Sequence, residues 1–386
     1  MLRFINSALL LLCCISWMSC HTDAPVSDHP SKADTISSPV RRVKYARGFS
    51  IEEGSAYKTL KIYGDRHSAR ATATFILYPR SASKPNAGTD AYYIQVPVER
   101  VASMSTIYTT MLDMLGLRNR IVAIENADYY NNPFIAEQVK QGKIHELSKG
   151  PAMDVEQTLA LKPDLIFTFG MGNPKSDVNP KISAAGIPVA ISLDHLEETP
   201  LARAEWIKFI AAFFDRDHLA DSLFAGRETA YNQLLRMTDT ISKRPTVLTE
   251  LKYGDAWYVP GGESYMAHLL RDAGADYLWK EEKKAGSVPL TFETVYTKAN
   301  HCDFWLNLFM VNSKQEMLNY DERYALFDAF KKGNLYNNNL QHNDKGYSIY
   351  WESGMCCPDE VLKDLVSIFH PELLPGHQLK YYKRLE

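Results

Sequence analysis

The feature that most constrains this chain is one long helical pattern between two runs of alternating strands and helices. Residues 217–241, DHLADSLFAGRETAYNQLLRMTDTI, carry apolar side chains at helical spacing: Leu219, Leu223, Leu234, Leu235 and Ile241. Asp217 is the predicted N-cap, and Pro245 lies just past the end. At about 1.5 Å per residue, such a helix is about 37 Å long. The pattern predicts a helix that bridges two halves, and the alternative is an ordinary helix inside one large domain.

On both sides of this helix, short apolar runs alternate with amphipathic stretches, as in α/β domains. Before it, RVASMS, RIVAIEN, LIFTFG and IPVAISLD indicate buried strands, with helices predicted over 177–185 and 199–214. After it, PTVLTELKYG, AWYVPGG and DFWLNLFM indicate further strands, and a last strand is predicted over 346–351 before a helix over 358–369. With 386 residues, 45% of them hydrophobic, the chain can form two cores. We predict an α/β fold with two Rossmann-like lobes joined by a single long helix.

The changes in pattern along the chain define its predicted organisation. A stretch rich in Ser, Pro, Asp and Thr indicates a disordered tether, and short alternating runs broken by Gly, Asn and Pro indicate a small β-rich lead-in packed on the N-terminal lobe. The predicted segments are a signal peptide (1–20), the tether (21–42), the lead-in (43–98), an N-terminal lobe (99–216), the bridging helix (217–241) and a C-terminal lobe (242–386).

The first twenty residues have the pattern of an export signal. Arg3 supplies a positive charge, an apolar run covers 8–15, and Ser19 precedes Cys20. The run is too short to cross a bilayer as a helix, so we expect the mature protein outside the cytoplasm. WMSC resembles the lipobox of bacterial lipoproteins, which implies a lipid on Cys20 and a lipid anchor as the membrane contact. Simple cleavage is the alternative.

Three cysteines remain in the body of the chain: Cys302, Cys356 and Cys357. In an oxidising compartment Cys302 can pair with one of the other two, but spacing does not choose between a bridge and free thiols.

Several classes of function find no support in the sequence. A net charge of −3 without a basic stripe argues against nucleic acid. The fragment GMG at 170–172 lacks the third glycine of a dinucleotide site, and the eleven histidines include no HExxH motif. No serine or cysteine occupies a nucleophile elbow. We therefore predict no catalytic residue, metal site or cofactor.

Five segments in order resemble the periplasmic solute-binding proteins that deliver iron-siderophore complexes and vitamin B12 to ABC importers. They are RVASMSTIYTTMLDMLGLRNRIVAIEN, DVEQTLALKPDLIFTF, KISAAGIPVAISLD, KKGNLYNNN and IYWESGMCCPDEVLKDLVSIFHPELL. The resemblance covers about 100–374 and leaves the lead-in outside. It implies a monomer of two lobes joined by a rigid helix, a ligand in the cleft between them, and little closure on binding.

A related sequence motif occurs in both halves: DVEQTLALKPDLIFTF from Asp154 and LTFETVYTKANHCDFWLNL from Leu290. Each begins with a helix that carries an early glutamate, Glu156 or Glu293. The resemblance implies that these two residues meet arginines of the permease. The alternative is that they are favourable first-turn residues of their helices.

Ligands of α/β sheets bind at the carboxyl ends of the strands, and that rule selects candidates for the cleft. The predicted ligand-binding residues are Tyr108, Tyr129, Tyr130, Phe169, Met171, Trp257, Trp305 and Trp351, with Gly170, Tyr258, Met310 and Tyr350 beside them. Aromatic rings suit a large flat or partly apolar ligand such as a corrinoid or a catecholate chelate. Since strand neighbours point to opposite faces, each of these residues can instead belong to the core.

These observations predict a lipid-anchored, periplasm-facing substrate-binding protein of an ABC importer. An iron-siderophore complex is the preferred ligand, cobalamin is the second candidate and haem the third. The rival from another class is an exported α/β enzyme that uses the same cleft.

Overall fold

The computed structural model describes residues 43–64, 70–88, 90–149, 152–173 and 177–386. The predicted signal peptide, the tether and Cys20 lie outside the described residues. Within the described ranges, no helix has both the length and the apolar character needed to cross a membrane.

The chain begins with a four-stranded sheet, called here the N-terminal sheet. Its strands in spatial order are Phe49–Glu53 (β1), Lys58–Ile62 (β2), Ala73–Pro79 (β3) and Tyr92–Val96 (β4). The first three pair antiparallel, whereas β4 runs parallel to β3. Phe49 and Phe75 point inward and contact Trp206 and Phe213, with ring centroids 4.7 and 5.6 Å apart. The predicted β-rich lead-in is thus present, and it shares a core with the first lobe.

The first lobe contains a parallel sheet of five strands in the order β11-β10-β5-β6-β7. Its strands are Val101–Ser103 (β5), Ile121–Ile124 (β6), His145–Glu146 (β7), Leu165–Phe169 (β10) and Val189–Ser192 (β11), and Ser148–Lys149 (β8) pairs separately with Ala152–Met153 (β9). Its helices are Thr106–Met114 (α1), Pro133–Lys140 (α2), Val155–Leu161 (α3), Pro180–Ala184 (α4), Pro200–Ala204 (α5) and Trp206–Ala212 (α6).

Two helix predictions in this lobe need correction. The helix predicted over 177–185 begins at Pro180, because Asn179 is the N-cap and accepts the N–H of Lys181 at 3.0 Å. The single helix predicted over 199–214 is divided into α5 and α6 at Glu205.

The second lobe has a mixed sheet in the order β15-β12-β17-β18-β19, in which only β19 pairs antiparallel. Its strands are Thr246–Thr249 (β12), Asp276–Tyr277 (β15), Phe304–Leu306 (β17), Leu335–Asn337 (β18) and Lys383–Arg384 (β19), beside an antiparallel sheet of Lys252–Tyr253 (β13), Ala256–Pro260 (β14) and Ser287–Leu290 (β16). Helices of this lobe are Tyr265–Asp272 (α8), Phe292–Ala299 (α9), Lys314–Tyr320 (α10), Asp328–Lys332 (α11), Ser353–Cys356 (α12) and Pro358–Phe369 (α13). Short 3-10 turns across the chain cover Arg118–Arg120, Ala127–Tyr129, Asp194–Leu196, Glu322–Leu326, Ile349–Trp351 and Pro371–Leu373.

The strand predicted over 346–351 is wrong, because the segment ends in the 3-10 turn Ile349–Trp351. Ser348 caps this turn: its hydroxyl accepts the N–H of Tyr350 at 3.1 Å and donates to the carbonyl oxygen of Asn338 at 2.6 Å. These local side-chain hydrogen bonds replace the ladder that a strand would need.

The predicted bridging helix is observed as Asp217–Thr238 (α7). Its first half buries Ala220 and Phe224 in the core of the first lobe, and its second half buries Tyr231 and Leu234 in the core of the second. This division of contacts confirms that one helix joins two α/β lobes.

The details of the bridging helix differ from the sequence prediction. Arg216 occupies the N-cap position and Asp217 is the first helical residue, where its carboxylate lies 2.5 Å from the Lys58 amine. Leu219 is exposed and Ile241 lies beyond the helix. Of the other predicted positions, Leu234 is buried in the core of the second lobe, while Leu223 and Leu235 are partly buried against the first and the second core.

The three described cysteines are free thiols. Cys302 is buried in the core of the second lobe, while Cys356 and Cys357, although they lie at the end of α12, are buried against the core of the first lobe. Their location in separate cores explains why the predicted alternative of a disulfide is not observed.

Candidate ligand-binding cleft

A cavity of about 740 Å³, called here the main chamber, is lined by residues of both lobes. Its polar and aromatic lining includes Ser105, Thr106, Glu125, Tyr129, Thr168, Phe169, Asp177, Tyr347, Trp351 and Glu352. This volume lies within the usual range for small-molecule sites.

The first lobe forms its wall from the carboxyl ends of its strands. Ser105 follows β5, and its hydroxyl caps α1 by accepting the N–H of Ile107 at 3.2 Å. Glu125 follows β6, and Phe169 ends β10 with 63% of its surface exposed. The rule for parallel sheets therefore locates this wall correctly.

The second lobe forms its wall from the irregular segment 343–352. Trp351 is 57% exposed, and its carbonyl oxygen accepts the hydroxyl of Thr106 at 3.1 Å. Both carboxylate oxygens of Glu352 accept the N–H of Asn131, at 3.0 and 3.2 Å. The rings of Tyr129 and Tyr347 lie 4.9 Å apart. These contacts connect the two lobes beside the chamber.

A second chamber of about 330 Å³ also has Trp351 in its wall, so this residue lines both chambers. Arg203 lines it and is held from the first lobe, since it donates to the carbonyl oxygens of Asp194 and His195 at 3.1 and 2.8 Å. Its guanidinium lies 4.5 Å from the ring centroid of Tyr265, which belongs to the second lobe. The second chamber is thus also an interlobe space.

The main chamber is acidic. Among its described lining residues Glu125, Asp177 and Glu352 carry carboxylates, and none is Lys, Arg or His. Burial raises the pKa of Glu125 to about 7, although the hydroxyl of Tyr130 donates to it at 2.6 Å. Burial also raises the pKa of Glu352, against the opposing effect of the Asn131 N–H. A ligand with net negative charge would face unfavourable electrostatics here.

The second chamber has a different charge balance. Its lining includes Glu197, Glu198 and Glu250 but also Arg203, which supplies a cation, and burial lowers the pKa of His195 and so favours its neutral form. Burial raises the pKa of Glu250 to about 7, so that this carboxyl is partly protonated at neutral pH. The two chambers, which share Trp351, therefore offer different hydrogen-bonding groups.

Comparison with known proteins identifies this architecture. The family model for periplasmic binding proteins matches residues 101–338. This chain belongs to the periplasmic binding protein family. The matched residues include the strands of both large sheets except the final edge strand β19, and they exclude the N-terminal sheet.

Individual relatives are distant from this periplasmic binding protein. An uncharacterized lipoprotein of Methanocaldococcus jannaschii is 24% identical over 314 residues, which cover 78% of this chain and 72% of the relative. A vitamin B12-binding protein of Yersinia pestis is 34% identical over 94 residues, 24% of this chain and 31% of the relative. The crystal structure of a periplasmic heme binding protein from Pseudomonas aeruginosa has a TM-score of 0.57 at 15% identity and covers 75% of this chain and 98% of its own. That structural likeness supports the two-lobed fold.

Three of the predicted ligand-binding residues line the main chamber: Tyr129, Phe169 and Trp351. Met171 is exposed, but it does not line either chamber. Contact of Tyr129, Phe169 and Trp351 with a ligand stays a prediction.

The two other tyrosines of the first lobe were predicted in the cleft and are buried instead. Tyr108 belongs to the inner face of α1 with Met111 and Leu112, and its hydroxyl donates to Asp194 at 3.0 Å. Tyr130 is buried behind the wall and reaches the main chamber only through its hydrogen bond to Glu125. Both side chains are part of the core beneath the cleft, and each donates a hydrogen bond to a carboxylate, that of Asp194 or Glu125.

The tryptophans Trp257 and Trp305 are fully buried, which corrects their assignment to the cleft. Their rings stack with centroids 5.5 Å apart, and Phe327 packs against both. Each indole N–H is satisfied by a backbone carbonyl, that of Thr249 for Trp257 and that of Glu250 for Trp305. They form the aromatic core of the second lobe.

Several lining residues were missed by the sequence analysis: Ser105, Thr106, Glu125, Asp177, Arg203 and Glu352. Glu125 directly follows the apolar run IVAI, so the rule of carboxyl strand ends applies to it as well as to the aromatic residues. No local signal marks Glu352, because its position depends on contact with the opposite lobe.

Glu156 and Glu293 occupy equivalent positions in their helices. Each is the second residue, after an N-cap whose side chain accepts a backbone N–H: Asp154 from Gln157 at 3.0 Å, and Thr291 from Thr294 at 3.2 Å. Both glutamates are exposed, and Glu293 lies 3.5 Å from Arg323. This placement fits a docking role and a helix-start role equally, so docking stays a proposal.

Proposed function

We propose that this protein is the substrate-binding component of an ABC importer and that it captures a metal chelate, an iron-siderophore complex first and a corrinoid second, in the interlobe cleft. The observation that carries the proposal is Trp351, an aromatic residue of the second lobe that is 57% exposed and lines both interlobe chambers. A ring in this position offers a stacking surface for a flat or partly apolar ligand.

The charge of the main chamber narrows the class of ligand. Desolvating an anionic chelate beside Glu125 and Glu352 would cost free energy, and none of the described residues that line this chamber is Lys, Arg or His. We therefore favour a neutral or cationic chelate, such as a ferric hydroxamate, over the catecholate class. A corrinoid stays the second candidate because its amide groups can donate hydrogen bonds to carboxylates, and the local similarity to a vitamin B12-binding protein supports it.

A panel of coloured ligands tests this proposal. The soluble body from Arg42 onward would be titrated with ferrioxamine B, ferrichrome, ferric enterobactin, cyanocobalamin and haemin, and tryptophan fluorescence would be followed. We expect saturable quenching by a hydroxamate complex or by cyanocobalamin, and none by ferric enterobactin. The Trp351→Phe variant is the control for quenching that arises at the cleft. Tight binding of the catecholate alone, or chemical turnover of a bound ligand, would contradict the proposal.

The proposed location follows from the export signal and Cys20. Two of the relatives in Methanocaldococcus jannaschii are named lipoproteins, which supports a lipid anchor. We expect the wild type to partition into detergent after processing and Cys20→Ala to stay in the aqueous phase. Equal partitioning of the two proteins would exclude anchoring through Cys20.

The proposed partner is the permease, with Glu156 and Glu293 as contacts, one on each lobe. Reversing both to Lys would place like charges against the expected arginines, which costs more than removing the carboxylates. We expect import into vesicles to fall at least about tenfold while ligand affinity stays unchanged, and we expect wild-type docking to weaken as salt is raised.

A matched control reverses one exposed glutamate elsewhere on each lobe, Glu137→Lys with Glu281→Lys. This variant has the same net charge as the docking variant and should import normally. If the control loses as much import as the docking variant, the effect comes from net charge and the two proposed contacts are wrong.

A further inference from the structure

The N-terminal sheet lies before the residues that match the family, yet the segment after its strand β2 contacts the loop that follows β10. Gly64 comes shortly after β2, and a Cβ atom added to it would lie 2.3 Å from the carbonyl oxygen of Gly172. A Cβ atom on Gly172 would lie 2.6 Å from the Cα atom of Gly64. The two backbones are in direct contact, and neither position has room for a side chain.

The loop that contains Gly172 lies in the chain between two residues that line the main chamber, Phe169 and Asp177. It follows β10, whose last residue Phe169 lines the chamber. A Cβ atom on Gly170 would lie 2.6 Å from the carboxyl carbon of Asp177, another lining residue, and Asp177 accepts the N–H of Asn173 at 2.8 Å. Gly172 itself has a φ of +83°, which other residues rarely adopt. The fragment GMG is therefore explained by close packing on two sides of this loop.

The N-terminal sheet can support the loop because it is firmly attached to the first lobe. Besides the aromatic contacts of Phe49 and Phe75, two buried carboxylates bind the backbone that leads into β1. Glu197 accepts the N–H groups of Arg47 and Gly48, both at 2.9 Å. Glu205 accepts those of Tyr45 and Ala46, at 2.6 and 2.9 Å. Hydrogen bonds to charged acceptors are stronger than neutral ones, so these two carboxylates hold the segment that leads into β1 on the first lobe.

We infer that the N-terminal sheet helps to form the ligand site. Through the contact of Gly64 with Gly172, it holds the loop 169–173 in the position in which Phe169 and Asp177 line the main chamber. Gly64, Gly170 and Gly172 are positioning residues in this scheme. The inference rests on the proposed function, because it assigns to the main chamber the role of binding site.

The first test needs no ligand. Gly64→Ala forces the two backbones apart, so we expect the amide of Asn173, which is bonded to Asp177, to exchange with solvent at least about fivefold faster. Hydrogen exchange followed by NMR or mass spectrometry measures this. Gly226→Ala is the control, since an added Cβ atom there meets nothing within 4 Å. Gly172→Ala disturbs the same contact from the loop side, and thermal unfolding of each variant checks that it is folded.

The second test uses the ligand of the fluorescence panel that binds the wild type most tightly. We expect Gly64→Ala to weaken binding about threefold or more, and to add little to the loss already caused by Phe169→Ala, because residues that act through one loop are not additive. Unchanged exchange at Asn173 in a folded Gly64→Ala protein, or fully additive losses of affinity, would overturn the inference. Failure of the proposed function would look different: no ligand of the panel would bind the wild type, while the exchange response to Gly64→Ala would persist.

Discussion

The two lobes contain a related sequence motif but contribute to the cleft in different ways. In the first lobe, helix α3 leads into β10, which ends in the main chamber with Phe169 exposed. In the second lobe, helix α9 leads into β17, where Trp305 is fully buried. After β17 the chain turns away through Asn307 and Phe309, whose φ angles are +59° and +55°. The second lobe presents the irregular segment 343–352 instead.

A buried asparagine explains why the end of β17 is not available to a ligand. The side chain of Asn337 accepts the N–H of Leu308 at 2.8 Å and donates to the carbonyl oxygens of Phe309 and Val311, each at 2.8 Å. These bonds fix the turn that follows β17 within the lobe. The related sequence therefore predicts the same order of helix and strand in both lobes. Whether the end of the strand reaches the cleft depends on the side chains that follow it.

The largest expected effect is the difference in stability between truncating Trp305 in β17 and truncating Phe169 in β10, the corresponding strand of the first lobe. Trp305→Ala removes a fully buried ring, so we expect a loss of about 3–5 kcal/mol in the free energy of unfolding. Phe169→Ala acts on an exposed ring and should change this free energy by no more than about 0.5 kcal/mol. Denaturant unfolding measures both values. Equal losses would mean that the two strands do not differ as described.

A smaller effect concerns the stacking surface of the second lobe. Trp351→Ala should weaken ligand binding about fivefold or more, equivalent to about 1 kcal/mol, because it removes the exposed ring of a residue that lines both chambers. The free energy of unfolding should stay close to that of the wild type.

Tyr108→Phe is the contrasting variant on the first lobe. It removes a buried hydrogen bond to Asp194 and should lower stability by about 1 kcal/mol or more, without directly removing a ligand contact. A large loss of stability for Trp351→Ala with unchanged affinity would reverse the roles given to these two residues.

The smallest effect is the pH dependence contributed by Glu125. Because burial raises its pKa to about 7, this carboxyl is mainly neutral at pH 6 and mainly charged at pH 8. A cationic ligand such as ferrioxamine B is attracted only to the charged form, so its affinity should rise about two- to threefold from pH 6 to pH 8. Fluorescence titration at the two pH values measures this ratio.

Glu125→Gln isolates that contribution, since Glu352 of the second lobe also has a raised pKa and titrates in the same chamber. The variant should show a smaller ratio of affinities than the wild type. An unchanged ratio would assign the pH dependence to the second lobe.

The sequence predicted the fold well because its signals are local. Apolar periodicity predicted the strands of the first lobe and the long helix. The related motif predicted two helices, both of them capped, with Glu156 and Glu293 in equivalent positions. Capping, turns and periodicity depend on neighbouring residues, so they can be read along the chain.

The tertiary structure alone decided which of these residues meet in the cleft. Periodicity does not distinguish the buried Trp305 from the exposed Trp351, because burial depends on which helices and strands of the lobe pack against the side chain. It also gave no sign that Gly64 would contact Gly172, or that Glu352 would bind the backbone of Asn131. These contacts join residues far apart in the chain, and they exist only after the lobes and the N-terminal sheet have packed together.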